Sequence, residues 1–181
     1  VTVRRIAPGP KGFAVDLGKQ GRLHAKSVIV ATQAHVAAQL IAEIDPDGAA
    51  AAESIQAPPL AVVFFGFPRR KVDHPLDGLG FLTSAAEKRN ILGAQFCSTM
   101  FPGRAPDGQI AVSAYIGGTR SPDLACLSSD ELIELARSEF SELIGAKGDP
   151  TVAHVRHWPV GLPQYAIGHQ RLVETLESTD E

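Results

Sequence analysis

The alternation of apolar and polar residues predicts four strands and a helix at the start of the chain. Residues 2–6, 12–17 and 21–25 are typical of short strands, with a loop dense in Pro and Gly between the first two. Residues 27–31, SVIVA, form a continuous apolar run, as in a strand buried on both faces. Apolar residues then recur at helical spacing over residues 34–44. Strands followed by a buried strand and a helix suggest a doubly wound α/β unit.

A second group of strands is predicted further along the chain. Residues 60–67, 110–116 and 151–158 have strand patterns. Two short apolar runs, each containing a glycine, lie between the first two of these strands, at residues 79–82 and 91–96. Because successive strands are joined by turns, we expect a largely antiparallel sheet.

One helix has clear signals at both ends. Ser128 and Glu131 have the spacing of a capping box, an apolar stripe follows, and Gly145 ends the pattern. This helix is expected to pack against the sheet. A further helix is predicted to begin over residues 169–176. Residues 45–59, with an alanine run and a Pro-Pro pair, are interpreted as a crossover between domains.

Gly80 and Gly93 interrupt the two short apolar runs. A glycine inside a strand often marks a place where a ligand or another backbone comes close. Two such strands side by side could form a flat apolar wall for a large, flat ligand. On spacing alone, an ordinary hairpin with glycine bulges is the simpler interpretation, and both stay open.

Composition narrows the class of protein. The 181 residues are 44% hydrophobic and 20% charged, which is typical of a globular chain. A net charge of −3 argues against a nucleic-acid partner. Cys97 and Cys126 form no metal-binding pattern, and His154 and His157 should point to opposite faces of a strand. We therefore expect no metal site.

Other polar clusters have simple interpretations. Asp73, His74 and Asp77 could form an acid–base cluster, but a solvated loop is the simpler alternative.

The chain begins at Val1, its only methionine is Met100, and residues 178–181 lie within a polar helical pattern. From these features we expect an internal piece of a longer protein.

Several segments together resemble one family. They are VIVAT at residues 28–32, HPLDGLGFL at 74–82, ILGAQFCSTMFPGRAP at 91–106, YIGGTR at 115–120 and HWPVGLPQYAIGH at 157–169. In this order they resemble the FAD-dependent protoporphyrinogen oxidases, which share the fold of the monoamine-oxidase-like flavoproteins. The last segment is the most specific of the five.

The resemblance implies a division of the chain between two domains. Residues 1–58 would belong to the FAD-binding domain, which is of the dinucleotide-binding type. Residues 59–156 would form the later half of a substrate domain, an antiparallel sheet with a packing helix. Residues 157–181 would return to the FAD-binding domain. The expected fold class is therefore α/β, or α+β.

The resemblance also implies roles for particular residues. Val3 would meet the adenine end of FAD through its backbone, and Trp158 would lie beside the flavin. The implied wall of the substrate pocket consists of Leu79, Gly80, Leu82, Gln95 and Tyr115. The last two places are often apolar in relatives. No catalytic residue is implied, and Arg104 and Arg120, both in loops that look solvated, are candidates for contacts with substrate carboxylates.

The implied function is oxidation of protoporphyrinogen IX to protoporphyrin IX in haem biosynthesis, by hydride transfer to FAD with O2 as the final acceptor. The isolated piece should be inactive. Three alternatives stay open: oxidation of coproporphyrinogen III, amine oxidation or desaturation on the same fold, and a flavin-free binding module. The parent protein is expected in the cytoplasm. Homodimerisation, and peripheral attachment to the inner face of the membrane through regions outside this chain, are further expectations.

Overall fold

The computed structural model describes residues 1–178, which form two compact units. One contains Val1–Gln56 and the described chain from Pro163 onward, and the other contains Ala57–Leu162. The first boundary lies close to residue 58, and the second lies six residues after residue 156. The assignment of these units to a cofactor domain and a substrate domain stays a prediction. Of the polar pattern at residues 178–181, residues 179–181 lie outside the described part of the chain.

The first unit contains a three-stranded antiparallel sheet. Strands β1 (Arg5–Gly9), β2 (Gly12–Asp16) and β3 (Arg22–Ala25) lie in the order β1-β2-β3. Strand β1 starts later than predicted and continues through Pro8, which pairs with Phe13. Proline is tolerated there because β1 is an edge strand and needs no ladder N–H on its open side.

The buried strand predicted at residues 27–31 is wrong. This segment has no strand assignment, and the side chain of Ile29 is 93% exposed. A strand buried on both faces needs hydrogen-bonded neighbours, and within residues 1–178 none pairs with it. A doubly wound arrangement is accordingly not seen in the described chain.

Three helices complete the first unit. Helix α1 (Ala34–Ile41) ends three residues earlier than predicted, and α5 (His169–Glu177) begins at the predicted residue. Helix α2 (Pro46–Glu53) occupies the alanine run that was interpreted as a crossover. The carboxylate of Asp45 accepts a hydrogen bond from the Gly48 N–H at 3.0 Å. Asp at the N-cap followed by Pro at the first helical position therefore starts a helix there.

The second unit contains a five-stranded antiparallel sheet, as predicted. Its strand order is β5-β6-β7-β4-β8. The strands are β4 (Leu60–Pro68), β5 (Gly80–Leu82), β6 (Gly93–Gln95), β7 (Gln109–Gly117) and β8 (Val152–Trp158). A short helix, α3 (Cys97–Met100), follows β6.

Helix α4 (Ser129–Ile144) covers one face of this sheet and confirms the predicted capping box. The Ser128 hydroxyl accepts from the Glu131 N–H, and Glu131 accepts from the Ser128 N–H at 2.9 Å. Gly145 ends the helix in the left-handed conformation. The core between helix and sheet is made of fully buried apolar side chains, including Val63, Phe65, Val112, Ile116, Leu132 and Phe140.

Candidate functional site

The face of the five-stranded sheet opposite α4 collects most of the predicted pocket residues. Because side chains alternate along a strand, residues next to the core positions of β4 and β7 point to this second face. We call it the open face. Its residues on the five strands include Gly80, Leu82, Gly93, Gln95, Ser113, Tyr115, Val62, Phe64, His154, Arg156 and Trp158.

The strand register arranges these residues in rows across the sheet. One row runs Leu82, Gly93, Tyr115, Val62 and Arg156 from β5 to β8. The side chain of Leu82 is 89% exposed, although leucine is normally buried. An exposed apolar side chain beside a glycine gives the open face the flat, apolar character expected of the pocket wall.

A parallel row crosses the sheet two residues away. It runs Gly80, Gln95, Ser113, Phe64 and His154. Four of the five residues predicted for the pocket wall therefore lie together on two neighbouring rows. Their role as substrate contacts stays a prediction.

Gln95 and Tyr115 form a polar pair on the open face. The Tyr115 hydroxyl donates to Gln95 Oε1 at 2.5 Å. Burial raises the pKa of the Tyr115 phenol, and the neighbouring Cys97 adds to the effect. The hydroxyl is therefore neutral at physiological pH. The pair offers hydrogen-bond donors but no charge.

The two glycines of the hairpin are required by the close approach of its strands. A Cβ on Gly93 would collide with the carbonyl oxygen of Phe81, and a Cβ on Gly80 with that of Ala94. Gly80 also has φ +145°, which side chains rarely tolerate. Backbone packing thus accounts for both glycines. Because neither glycine has a side chain, no side-chain atoms project from the open face at these two positions.

Leu79 and Val3 are not members of these rows. Leu79 precedes β5, is 67% exposed, and its carbonyl accepts a hydrogen bond from the Phe96 N–H at 2.9 Å. Val3 belongs to the first unit and precedes β1. Among residues 1–178 the backbone of Val3 forms no hydrogen bond, so its N–H and C=O can meet another group.

Trp158 ends β8 on the edge of the sheet, within the second unit. Its side chain is 41% exposed, and the guanidinium of Arg156 lies over the indole with Cζ 4.9 Å from the ring centroid. Sequence reasoning missed Arg156. The available signal was its position two residues before Trp158, which places both side chains on the same face.

The two arginines proposed from the sequence have different roles. Arg120 is exposed, as expected, and its guanidinium donates to Thr83 Oγ1 at 2.9 Å and to the Thr83 carbonyl at 2.6 Å. It therefore anchors the chain that follows β5. Arg104 is exposed and lies over the ring of Phe101. It borders a cavity of about 470 Å³ at one end of the open face, together with Phe64, Gly66, Ala111 and Val152.

Three of the remaining polar candidates, Asp73, His74 and His157, have structural partners. Asp73 forms an ion pair with Lys147, and His74 Nδ1 accepts from the Leu76 N–H at 2.9 Å. His154 and His157 point to opposite faces as predicted, and His157 Nδ1 lies 3.2 Å from the Ala125 carbonyl oxygen. Within residues 1–178 no cluster of His, Cys, Asp and Glu could hold a metal ion. The same residues include no helix long and apolar enough to cross a membrane.

Comparison with known proteins gives consistent results. The family model described as flavin containing amine oxidoreductase matches residues 1–180. A mitochondrial protoporphyrinogen oxidase from Nicotiana tabacum is 33% identical over 126 residues, which are 68% of this chain and 25% of that protein. A coproporphyrinogen III oxidase from Bacillus subtilis (strain 168) is 24% identical over 174 residues, which are 96% of this chain and 37% of that protein.

A solved structure supports the fold. A provisionally assigned protoporphyrinogen oxidase from Exiguobacterium sp. 255-15 superposes with a TM-score of 0.74 at 19% identity. The superposition covers 98% of this chain and 39% of that one. The chain therefore spans between a quarter and two fifths of the length of these three proteins.

Proposed function

Because this chain belongs to the family of flavin-containing amine oxidoreductases, we propose that it is part of an oxygen-dependent protoporphyrinogen oxidase. The proposed reaction converts protoporphyrinogen IX to protoporphyrin IX, with FAD as hydride acceptor and O2 as final oxidant. The single observation that carries the proposal is the open face, a sheet surface with exposed Leu82 and Trp158 on its edge strands and half-buried apolar and small residues between them. A flat tetrapyrrole is the kind of ligand that such a surface accommodates.

The described residues would bind and orient the substrate. Leu82, Val62 and Phe64 would contact the apolar ring, and the Gln95–Tyr115 pair would limit how the ring slides across the sheet. FAD, when bound, supplies the hydride acceptor. The scheme requires no strong base from the protein, which is consistent with the structural roles of Asp73 and His74.

Two residues fit contacts with FAD. The exposed indole of Trp158 offers a flat aromatic surface for another ring, and the unpaired backbone of Val3 offers a donor and an acceptor for a purine edge. The contact with Trp158 is proposed for the second unit, and the contact with Val3 is proposed for the first unit.

Coproporphyrinogen III is the second candidate substrate. It carries four carboxylates where protoporphyrinogen IX carries two. Arg104 and Arg156 are exposed arginines on or beside the open face, and a substrate with more carboxylates could use both. The match to a coproporphyrinogen III oxidase over 96% of the chain also supports this candidate.

The test uses the full-length protein that contains this chain. Its flavin absorbance is recorded, and porphyrin fluorescence is followed under air with protoporphyrinogen IX and coproporphyrinogen III offered separately. The proposal expects bound flavin and faster product formation from protoporphyrinogen IX. Faster formation from coproporphyrinogen III would select the second candidate. Bound flavin with neither product would favour amine oxidation or desaturation, and absence of flavin would overturn the proposal.

The proposal also covers the location, oligomeric state and membrane attachment of the full-length protein. A cytoplasmic enzyme, dimeric and attached peripherally to the inner face of the membrane, is supported by the family resemblance alone. Sedimentation of the purified protein measures its oligomeric state, and flotation with anionic vesicles measures attachment. A monomer that stays with the soluble fraction would contradict this extension without affecting the proposed reaction.

A further inference from the structure

Arg156 lies at one end of a row that crosses the whole sheet. The row begins at Leu82 on β5 and passes through Gly93, Tyr115 and Val62 before it reaches Arg156 on β8. Neighbouring strands are about 4.8 Å apart, so Arg156 starts roughly 14 Å from Gly93. If a flat tetrapyrrole lay over the middle of this row, the substituents of its ring would be within reach of the Arg156 guanidinium.

The charge of Arg156 is not compensated within the described chain. Among residues 1–178 it forms no ion pair, and its contact is the indole of Trp158. Two other arginines of the same unit are engaged in ion pairs. Arg89 pairs with Glu139 and Glu142, and Arg137 pairs with Glu134 and Asp149. The five N–H donors of Arg156 therefore stay available for a ligand.

Contact with Trp158 prepares Arg156 to bind an anion. A guanidinium lying over an aromatic ring is attracted by the ring face and loses part of its rotational freedom. Its N–H groups point outward in the plane of the guanidinium, where a carboxylate can accept two parallel hydrogen bonds. Trp158 thus positions the Arg156 guanidinium at the β8 edge of the open face.

We propose that Arg156 binds a carboxylate of the tetrapyrrole at this edge and thereby contributes to substrate choice. This inference rests on the proposed function, because the carboxylate is that of the proposed substrate. Removal of the guanidinium should weaken the binding of every carboxylate-bearing porphyrin. It should not affect a ligand whose carboxylates are esterified.

The test measures equilibrium binding of protoporphyrin IX and of its dimethyl ester to the full-length protein. Porphyrin absorbance gives Kd for the original protein and for Arg156→Gln, Arg156→Lys and Arg70→Gln. Arg70 is an exposed arginine on a turn of the same unit and serves as the matched control. Arg156→Gln should weaken the diacid about tenfold and leave the ester unchanged, as expected for loss of a charge-assisted hydrogen bond. Arg156→Lys should lose less, and Arg70→Gln nothing.

Two results would overturn the inference. Equal affinity of the original protein and Arg156→Gln for the diacid is one. Equal weakening of diacid and ester is the other, since it would indicate a structural effect. KM for both porphyrinogens should rise in Arg156→Gln while kcat changes little. If the original protein binds flavin but no porphyrin and oxidises neither substrate, the proposed function fails and the inference falls with it.

Discussion

The two faces of the five-stranded sheet are built from the same strands but have opposite properties. On β4, Val63 and Phe65 are fully buried under α4, whereas Val62 and Phe64, their neighbours in sequence, are half-buried on the open face. Helix α4 supplies the apolar surface against which Val63 and Phe65 are buried. The comparison shows that α4 stabilises the sheet from one side, which leaves the open face available for the proposed substrate.

Substituting the two neighbouring phenylalanines separately tests this contrast most strongly. Phe65→Ala should lower the free energy of unfolding by about 3–5 kcal/mol, because the ring is fully buried and contacts Phe67 and Phe140. Phe64→Ala should cost less than half as much. Urea unfolding of the full-length protein followed by circular dichroism measures both. Equal losses would show that the two faces are equally packed.

A side chain at Gly93 should disturb the hairpin of β5 and β6, which contributes residues to both faces of the sheet. The Cβ of Gly93→Val would collide with the backbone of β5, so the strands must separate, at a cost of about 1–3 kcal/mol. Porphyrin binding should weaken as well. Thermal unfolding and the binding titration give the two values. Gly78→Ala is the control, because its Cβ would meet no atom closer than the Gly80 nitrogen at 4.0 Å, and a similar loss there would contradict the explanation.

The N-cap of α4 should affect stability through the face of the sheet that packs against α4, and not through the open face. Ser128→Ala should destabilise the protein by about 1 kcal/mol, as expected for loss of an N-cap. Hydrogen bonds from Ser128 lower the pKa of Glu131, so their contribution is present at neutral pH and is lost as the pH falls through the acidic range. Unfolding measured from neutral to acidic pH should therefore show a weaker acid dependence in the variant.

Ser141→Ala is the control for the cap. Ser141 is exposed and lies inside α4 rather than at its start. Its substitution should leave both the stability and the acid dependence unchanged. If Ser141→Ala and Ser128→Ala lose the same stability, the cap is not the cause.

The smallest change in stability is expected on the open face. Tyr115→Phe removes the hydroxyl that donates to Gln95 and should cost about 1 kcal/mol or less, because the pair is partly exposed. Burial raises the pKa of Tyr115, so its contribution is present up to the ordinary tyrosine pKa and is lost as the pH rises further. The variant should lack this alkaline dependence in thermal unfolding. A large loss at neutral pH would mean that the open face carries part of the core.

Local signals predicted the elements of the second unit. Ser128, Glu131 and Gly145 define α4 through hydrogen bonds within a few residues, and alternation alone separates His154 from His157. Asp45 and Pro46 carried an equally local signal for α2, but the alanine run after them was interpreted as a linker.

Features that depend on distant partners could not be predicted. The apolar run around Ile29 reads as a strand, but a strand exists only where another strand pairs with it. The contact of Arg120 with Thr83 joins residues 37 positions apart, and the row from Leu82 to Arg156 depends on the register of five strands. The family resemblance predicted which residues form the wall of the substrate pocket. The place of Arg156 beside them required the structure.

Gly80 has a consequence for large-scale mutagenesis. Its φ and its closeness to the backbone of β6 exclude every side chain. A saturation screen scored by enzyme activity would therefore rank Gly80 with residues that touch the substrate, although the backbone alone explains its intolerance. A second screen scored by cellular abundance would separate the two groups: Gly80 variants should be depleted in both, and Arg156 variants in the activity screen only.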